Sequence, residues 1–97
     1  MNCRLVVAAR AEADLQEGFV WYEKRLPGLG HDFIRRVEAK FERLAHSPQH
    51  FRLHFGPYRL AAVERFPYAI YFIWDESNAV IAVRRVLHFK QDRQTRL

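Results

Sequence analysis

The stretch FPYAIYFIW, Phe66 to Trp74, decides the fold. Strand side chains alternate between the two faces of a sheet, and here both sets are apolar. One set contains Tyr68, Ile70, Phe72 and Trp74, and the other contains Ala69, Tyr71 and Ile73. A strand with one face in water alternates apolar with polar residues, so this segment predicts a strand covered on both faces.

The chain before this strand predicts one strand and two helices. RLVVAA, Arg4 to Ala9, is short, apolar and rich in valine, which is typical of a buried strand. Ala11 to Leu26 has apolar residues at helical spacing, and PGLG then breaks the helix. A second helix carries Phe33, Val37, Phe41 and Leu44 along one stripe. The same spacing places Trp21, Tyr22, Phe33 and Phe41 in the core or in the seam between the helices.

The rest of the chain is predicted to be β structure, in the segments FRLHF, YRLAAVERF, YAIYFIW and AVIAVRRVLHF. The sequence therefore predicts an α+β domain over residues 1–97 with the order β-α-α-β-β-β. A helical hairpin would pack on one face of a mainly antiparallel sheet of about four strands. The opposite face, left without a cover, would dock a homodimer partner, a peptide or a dedicated partner chain.

Composition and charge narrow the classes of protein. Hydrophobic residues make up 49% and charged residues 28% of the 97, which excludes a disordered chain. A single cysteine and no apolar run near the ~18 residues of a membrane span favour a cytoplasmic location. The net charge is +5, and residues 51–97 carry eight Lys/Arg against four Asp/Glu. An acidic protein or a polyanion is the expected partner.

Several phrases in this order resemble a known family. ADLQEGFVWYEKRLPGLGHDF, SPQHF, RFPYAIYF and VLHFKQDR resemble the plasmid-stabilisation toxins of the RelE/ParE superfamily, and the ParE-like branch in particular. The resemblance spans about Ala11 to Arg93. It implies a toxin of a bacterial type II toxin–antitoxin system, neutralised by an acidic antitoxin that folds across it.

The superfamily contains two activities, and the residues favour one of them. RelE-like members resemble ribosome-dependent mRNA endonucleases, whereas ParE-like members poison DNA gyrase by protein contact. RelE-like nucleases tend to have basic residues where this chain has Ala61 and Ala69, and no tyrosine follows Tyr71. The resemblance therefore favours the gyrase poison. An mRNA endonuclease and a non-toxic basic interaction module stay open as alternatives, so whether the protein is an enzyme stays undecided.

If the protein is a nuclease, the candidate catalytic residues are Arg59, Arg65 and His88. Imidazole titrates near neutrality and could move a proton, and two arginines could hold a phosphate. Arg59 and Arg65 lie six residues apart and are expected on the same face of one strand. No metal is expected, because the histidines do not form a ligand cluster in sequence, and no cofactor is expected either.

Two further sets of residues are predicted to contact partners. The target would be contacted by Arg85, His88, Lys90 and Arg93, and the antitoxin by Arg59, Arg65, Tyr71 and Arg84. Arg84 and Arg85 are neighbours and should face opposite sides of the sheet. The one on the face away from the helices needs a partner, either an internal acid, such as Glu64 across the sheet, or an acid of a bound chain.

Overall fold

The computed structural model describes residues 2–91, and these form two helices on one sheet. The elements are β1 (Arg4–Val7), α1 (Ala9–Arg25), α2 (Leu29–His46), a 3-10 turn (Pro48–His50), β2 (Leu53–Phe55), β3 (Tyr58–Ala62), β4 (Tyr68–Asp75) and β5 (Val80–His88). The predicted order of helices and strands is confirmed apart from one additional strand. The tight turn after Asp75 is built as its residues suggest, because the Asp75 carboxylate accepts hydrogen bonds from the backbone and side-chain nitrogens of Asn78.

The sheet has five strands rather than about four, in the order β1-β5-β4-β3-β2. β1 pairs parallel to β5, and the other pairs are antiparallel, so the sheet is mainly antiparallel as predicted. The additional strand is β2, which has only three residues. It turns into β3 through Gly56, whose φ of +50° lies in the left-handed region that suits glycine.

The helices form an antiparallel hairpin whose turn is fastened by Glu23. Its carboxylate accepts hydrogen bonds from the backbone nitrogens of Gly28 and Gly30, both at 2.9 Å. These N–H groups lie at the start of α2, where the helix cannot satisfy them itself. The Gly28 bond, with the other N–H groups and the charge of His31, holds the pKa of Glu23 below its ordinary value. An acidic side chain from α1 therefore caps α2.

An aromatic cluster fills the core between the helices and the sheet. Phe33 contacts Tyr22, Phe66 and Tyr68, with ring centroids 5.3, 5.4 and 4.8 Å away. Phe41 packs at the border of this core. The prediction for Trp21 is wrong, because its side chain is 50% exposed and stacks against the guanidinium of Arg25. Trp21 lies one position beyond the buried stripe, which Tyr22 occupies.

The second face of the sheet is not left bare, contrary to expectation. Tyr71, Ala69 and Leu87 are almost completely buried there. The hairpin of β2 and β3 contributes partly buried residues to this smaller cluster, namely Phe55, Tyr58 and Leu60. Intramolecular packing thus accounts for much of the two-sided apolar pattern of β4. Val6, which is 43% exposed on the edge strand β1, is a remaining exposed apolar residue on this face.

Candidate partner-binding surfaces

The end of β5 presents a surface formed by His88, Phe89 and Lys90, here called the end-of-sheet surface. Phe89 is 48% exposed and Lys90 is exposed, while His88 is partly exposed. The Phe89 backbone nitrogen donates to the Pro67 carbonyl at 2.9 Å, which ties this segment to the turn between β3 and β4. Sequence analysis missed Phe89, an exposed aromatic next to a cation, because its alternation with Leu87 made it look like a continuation of the strand.

The imidazole of His88 is held by two neighbours. Its ring lies edge-on to Tyr68, with centroids 5.3 Å apart, and its Nδ1 accepts a hydrogen bond from the Lys90 backbone nitrogen at 3.1 Å. Because Nδ1 accepts, the neutral ring carries its proton on Nε2. It can donate a hydrogen bond to a partner.

Tyr68 is the phenol nearest to this surface. Burial, followed by the charges around Tyr22, Glu17 and Asp14, raises the pKa of Tyr68 to about 12. The phenol therefore keeps its proton at neutral pH and cannot act there as a base. Its hydroxyl lies against α1, where a Cβ added at Gly18 would be 3.5 Å from it. The side chain fills the core.

Arg85 does not extend to the surface. Its side chain is 9% exposed, and Asp14 of α1 binds it through two hydrogen bonds, Nε to Oδ2 at 2.7 Å and Nη2 to Oδ1 at 2.8 Å. The same carboxylate accepts from the Val86 backbone nitrogen at 3.0 Å. The predicted partner Glu64 is wrong, since its carboxylate binds Lys40 at 2.9 Å instead. The Asp14 bonds are the main cause that raises the pKa of Arg85.

Arg84 projects from a β-bulge in β5. Tyr71 of β4 pairs with Arg85 and Phe72 pairs with Val83, so Arg84 has no residue opposite it. Arg84 is exposed, whereas Arg85 is buried. That the two neighbours point to opposite faces stays a prediction, because the bulge interrupts the alternation of side chains at this position. Tyr71, predicted to contact the antitoxin with Arg84, is only 1% exposed. Arg93, a predicted target contact, lies outside the described residues.

Arg59 and Arg65 do not share a strand, contrary to expectation. Arg59 lies in β3, where its guanidinium donates to the Phe51 carbonyl and lies 5.3 Å from the ring of Trp74. Arg65 follows the end of β3, in the turn to β4, with a φ of +70°. After Ala62 the Val63 backbone nitrogen still donates to the Tyr68 carbonyl, and the chain then turns through Arg65.

Arg65 instead joins two arginines of α2 that sequence analysis did not select. A groove of about 690 Å³ lies between the first half of α2 and the β3–β4 turn, and we call it the arginine groove. It is lined by Tyr22, Leu29, Asp32, Arg35, Arg36, Ala39, Arg65, Phe66 and Pro67. The adjacent arginines Arg35 and Arg36 could have indicated a basic site from sequence. The third cation, Arg65, lies beside them only because the chain turns after β3.

The three residues proposed for nuclease chemistry do not form one site. His88 pairs with Tyr68 at one end of β4, whereas Arg59 pairs with Phe72, four residues along the same strand. At ~3.3 Å per residue, that offset is about 13 Å. Arg65 lies at the His88 end but lines the arginine groove. A phosphate bound by one of the two arginines therefore does not lie beside the other.

Residues 2–91 contain neither a metal-binding cluster nor a membrane-spanning helix. No group of three or more histidine, cysteine, aspartate or glutamate side chains in this range could hold a metal ion. None of the helices described there is long and apolar enough to cross a membrane. Cys3, a partly buried residue, is present as a free thiol.

The fold is similar to those of two solved toxin–antitoxin structures. It is similar to a structure described as the chromosomal ParDE toxin–antitoxin system from P. aeruginosa, with a TM-score of 0.77, 17% identity and coverage of 89% of this chain and 95% of that chain. It is also similar to the crystal structure of the toxin–antitoxin complex RelBE2 from Mycobacterium tuberculosis, with a TM-score of 0.63, 18% identity and coverage of 91% and 99%. At these identities the likeness concerns the fold.

The family is shown by sequence. Residues 5–93 match the model of the ParE toxin of the type II toxin–antitoxin system parDE. The chain therefore belongs to the ParE toxin family, as its sequence phrases indicated. No curated protein gave a significant match.

Proposed function

We propose that this ParE-type toxin poisons DNA gyrase by direct protein contact in the cytoplasm and that an antitoxin neutralises it. The observation that carries the proposal is the separation of Arg59, Arg65 and His88. Cleavage of a phosphodiester without a metal needs a proton acceptor, a proton donor and positive charge at one site. The described residues offer no such convergence.

The end-of-sheet surface is the proposed contact with the target. An exposed aromatic beside exposed charge is typical of residues that dominate the energy of protein interfaces. Phe89 would be the apolar anchor, with His88 as a hydrogen-bond donor and Lys90 as a charge. Arg93 follows three residues after Lys90 and is proposed to extend this contact. Arg85 would act as a positioning residue, because its pairing with Asp14 fixes the strand that leads to the surface.

The antitoxin is proposed to bind elsewhere on the same molecule, through Arg65 and the exposed Arg84. Arg59 is partly exposed and would contribute from the Trp74 end of the sheet. Tyr71 could contribute only after local rearrangement, because it is buried on the second face. An acidic antitoxin would complement the positive charge of this chain, and a segment that folds on binding can cover separate sites.

The test is controlled expression in bacteria with separate measurements of plasmid supercoiling and of mRNA cleavage. We expect the wild-type chain to alter supercoiling without mRNA cleavage. His88→Gln keeps a hydrogen-bonding side chain but cannot titrate near neutrality, so it should leave most of the toxicity. Deletion of Lys90 to Leu97 should remove toxicity without unfolding the domain. Phe89→Ala should weaken it, while Arg52→Glu, an exposed change outside this surface, should not.

Two outcomes would replace the proposal. If His88→Gln alone abolished toxicity at unchanged thermal stability, and cleaved mRNA appeared only with the wild-type chain, the protein would be an mRNA endonuclease. If the wild-type chain changed neither supercoiling nor mRNA and did not slow growth, it would be a non-toxic interaction module.

A further inference from the structure

The arginine groove carries unbalanced positive charge. Three arginines and one aspartate line it, and the aspartate, Asp32, already pairs with Arg35 one helical turn away. Within residues 2–91 neither Arg36 nor Arg65 forms an ion pair. Arg36 is partly buried, so its charge is less well solvated than that of an arginine on an open surface. The groove therefore favours an anionic ligand.

The same groove also has an apolar wall. Tyr22, Leu29, Phe66 and Pro67 line it together with the arginines, and Leu29 and Phe66 are only partly buried by the chain. A ligand that satisfies both parts must carry an acidic group next to an apolar one. A peptide segment with a carboxylate and a neighbouring aliphatic or aromatic side chain has this chemistry. A nucleic-acid backbone would use the arginines and leave the apolar wall exposed.

Arg65 is held in the groove by an unfavourable backbone conformation. Its φ of +70° lies in the left-handed region, which L residues rarely adopt and which glycine adopts without strain. A turn built for stability alone would place glycine or asparagine here. An outlier of this kind points to a role for the side chain that it presents. Arg65 therefore suggests a binding role on grounds independent of charge.

The groove adjoins the end-of-sheet surface. Pro67 lines the groove, and its carbonyl accepts the hydrogen bond from the Phe89 backbone nitrogen. A peptide that fills the groove would therefore leave it beside Phe89 and Lys90. Occupation of one site would obstruct a large partner at the other.

We propose that the arginine groove binds an acidic segment of the antitoxin, and this inference rests on the proposed neutralisation by that antitoxin. A carboxylate of the segment bridges Arg36 and Arg65, and an adjacent apolar side chain packs on Leu29 and Phe66. The segment then continues past Pro67 and blocks the end-of-sheet surface. The arginine groove thus links antitoxin binding to the loss of target contact.

The test measures the affinity of the antitoxin encoded beside this chain's gene for four forms of the toxin. Arg65→Gly removes the side chain and suits the backbone, so antitoxin binding should weaken about tenfold without a fall in melting temperature. The double variant Arg36→Glu/Arg65→Glu should weaken it about a hundredfold or more. The control is Arg52→Glu, which makes the same change of charge as each substitution of the double variant. Arg52 is an exposed residue before β2, so this variant should bind like wild type.

The outcomes separate this inference from the proposed function. If the antitoxin protects cells from the wild-type chain and binds the double variant with unchanged affinity, the groove assignment is wrong while neutralisation stands. If Arg52→Glu weakens binding as much as Arg65→Gly, only general charge attraction is involved, and the groove is again wrong. If the double variant loses retention on duplex DNA alone, the groove is a nucleic-acid site. If the antitoxin neither binds nor protects against the wild-type chain, both proposals fail.

Discussion

Replacement of Asp14 by alanine should destabilise the fold more than any loss of a surface ion pair. The Asp14 carboxylate accepts three hydrogen bonds, two from the Arg85 guanidinium and one from the Val86 backbone nitrogen. The Asp14 and Arg85 side chains are 12% and 9% exposed, so water cannot readily replace the lost partner. Alanine removes the Asp14 carboxylate from a buried cation and from a backbone donor at the same time.

The expected loss can be estimated from these contacts. Removal of one partner of a buried ion pair costs about 3–5 kcal/mol. The Val86 N–H contributes to the same deficit, so we expect about 4 kcal/mol in total. That is a large part of the roughly 5–15 kcal/mol by which a domain is stable. The melting temperature should fall by about 15–30 °C.

The assay is urea unfolding at neutral pH, followed by circular dichroism. Asp32→Ala is the matched control, because Asp32 pairs with Arg35 on the surface, where the side chains are 54% and 69% exposed. It should cost no more than about 1 kcal/mol. The double variant Asp14→Leu/Arg85→Met should recover most of the loss, since apolar residues can replace a buried pair. Equal losses for Asp14→Ala and Asp32→Ala would refute the reasoning.

Two further changes test the helical hairpin and the partly exposed ion pair between Lys40 and Glu64. Gly30→Ala should destabilise the fold by about 1–3 kcal/mol in urea unfolding, because the new Cβ would lie 2.6 Å from the Phe19 carbonyl oxygen. No loss would show that the helices separate easily. The hydrogen bond from Lys40 is the main cause that lowers the pKa of Glu64 below its ordinary value of 4.5. The stabilisation that the ionised Glu64 gives through Lys40 is therefore complete above pH 4.5, and it is lost as the pH falls through the lowered pKa of Glu64. Between pH 3 and 7 the melting temperature of Glu64→Gln should therefore change less with pH than that of wild type. Equal changes of melting temperature with pH in the two proteins would contradict this.

The order of elements could be predicted from sequence because it follows from local periodicity. Helical spacing in residues 11–26 and the apolar run of β4 specify their structures without reference to distant residues. The parallel pairing of β1 with β5 and the short strand β2 depend on contacts far apart in sequence. For the same reason the position of Trp21 was wrong, since a shift of one residue on a helix turns a side chain by about 100°.

The candidate sites were less predictable, because they combine residues from different elements. Asp14 and Arg85 are 71 residues apart, and no sequence spacing relates them. Arg65 was expected in a strand, but a left-handed turn moves it to the arginine groove beside α2. His88 was correctly placed at the end of a strand. Its hydrogen bond from the Lys90 amide, which bears on its chemistry, required coordinates.

The parallel pairing of β1 with β5 has a consequence for biosynthesis. β1 is made first and β5 last, and Arg4 pairs with Val80. The first strand therefore stays unpaired, and the apolar sides of both helices stay partly uncovered, until β5 has been made. We expect nascent chains truncated before Val80 to stay sensitive to protease, whereas the full-length chain is resistant. A chain whose synthesis stops before Val80 would therefore carry both helices without the strand that β1 needs as its neighbour.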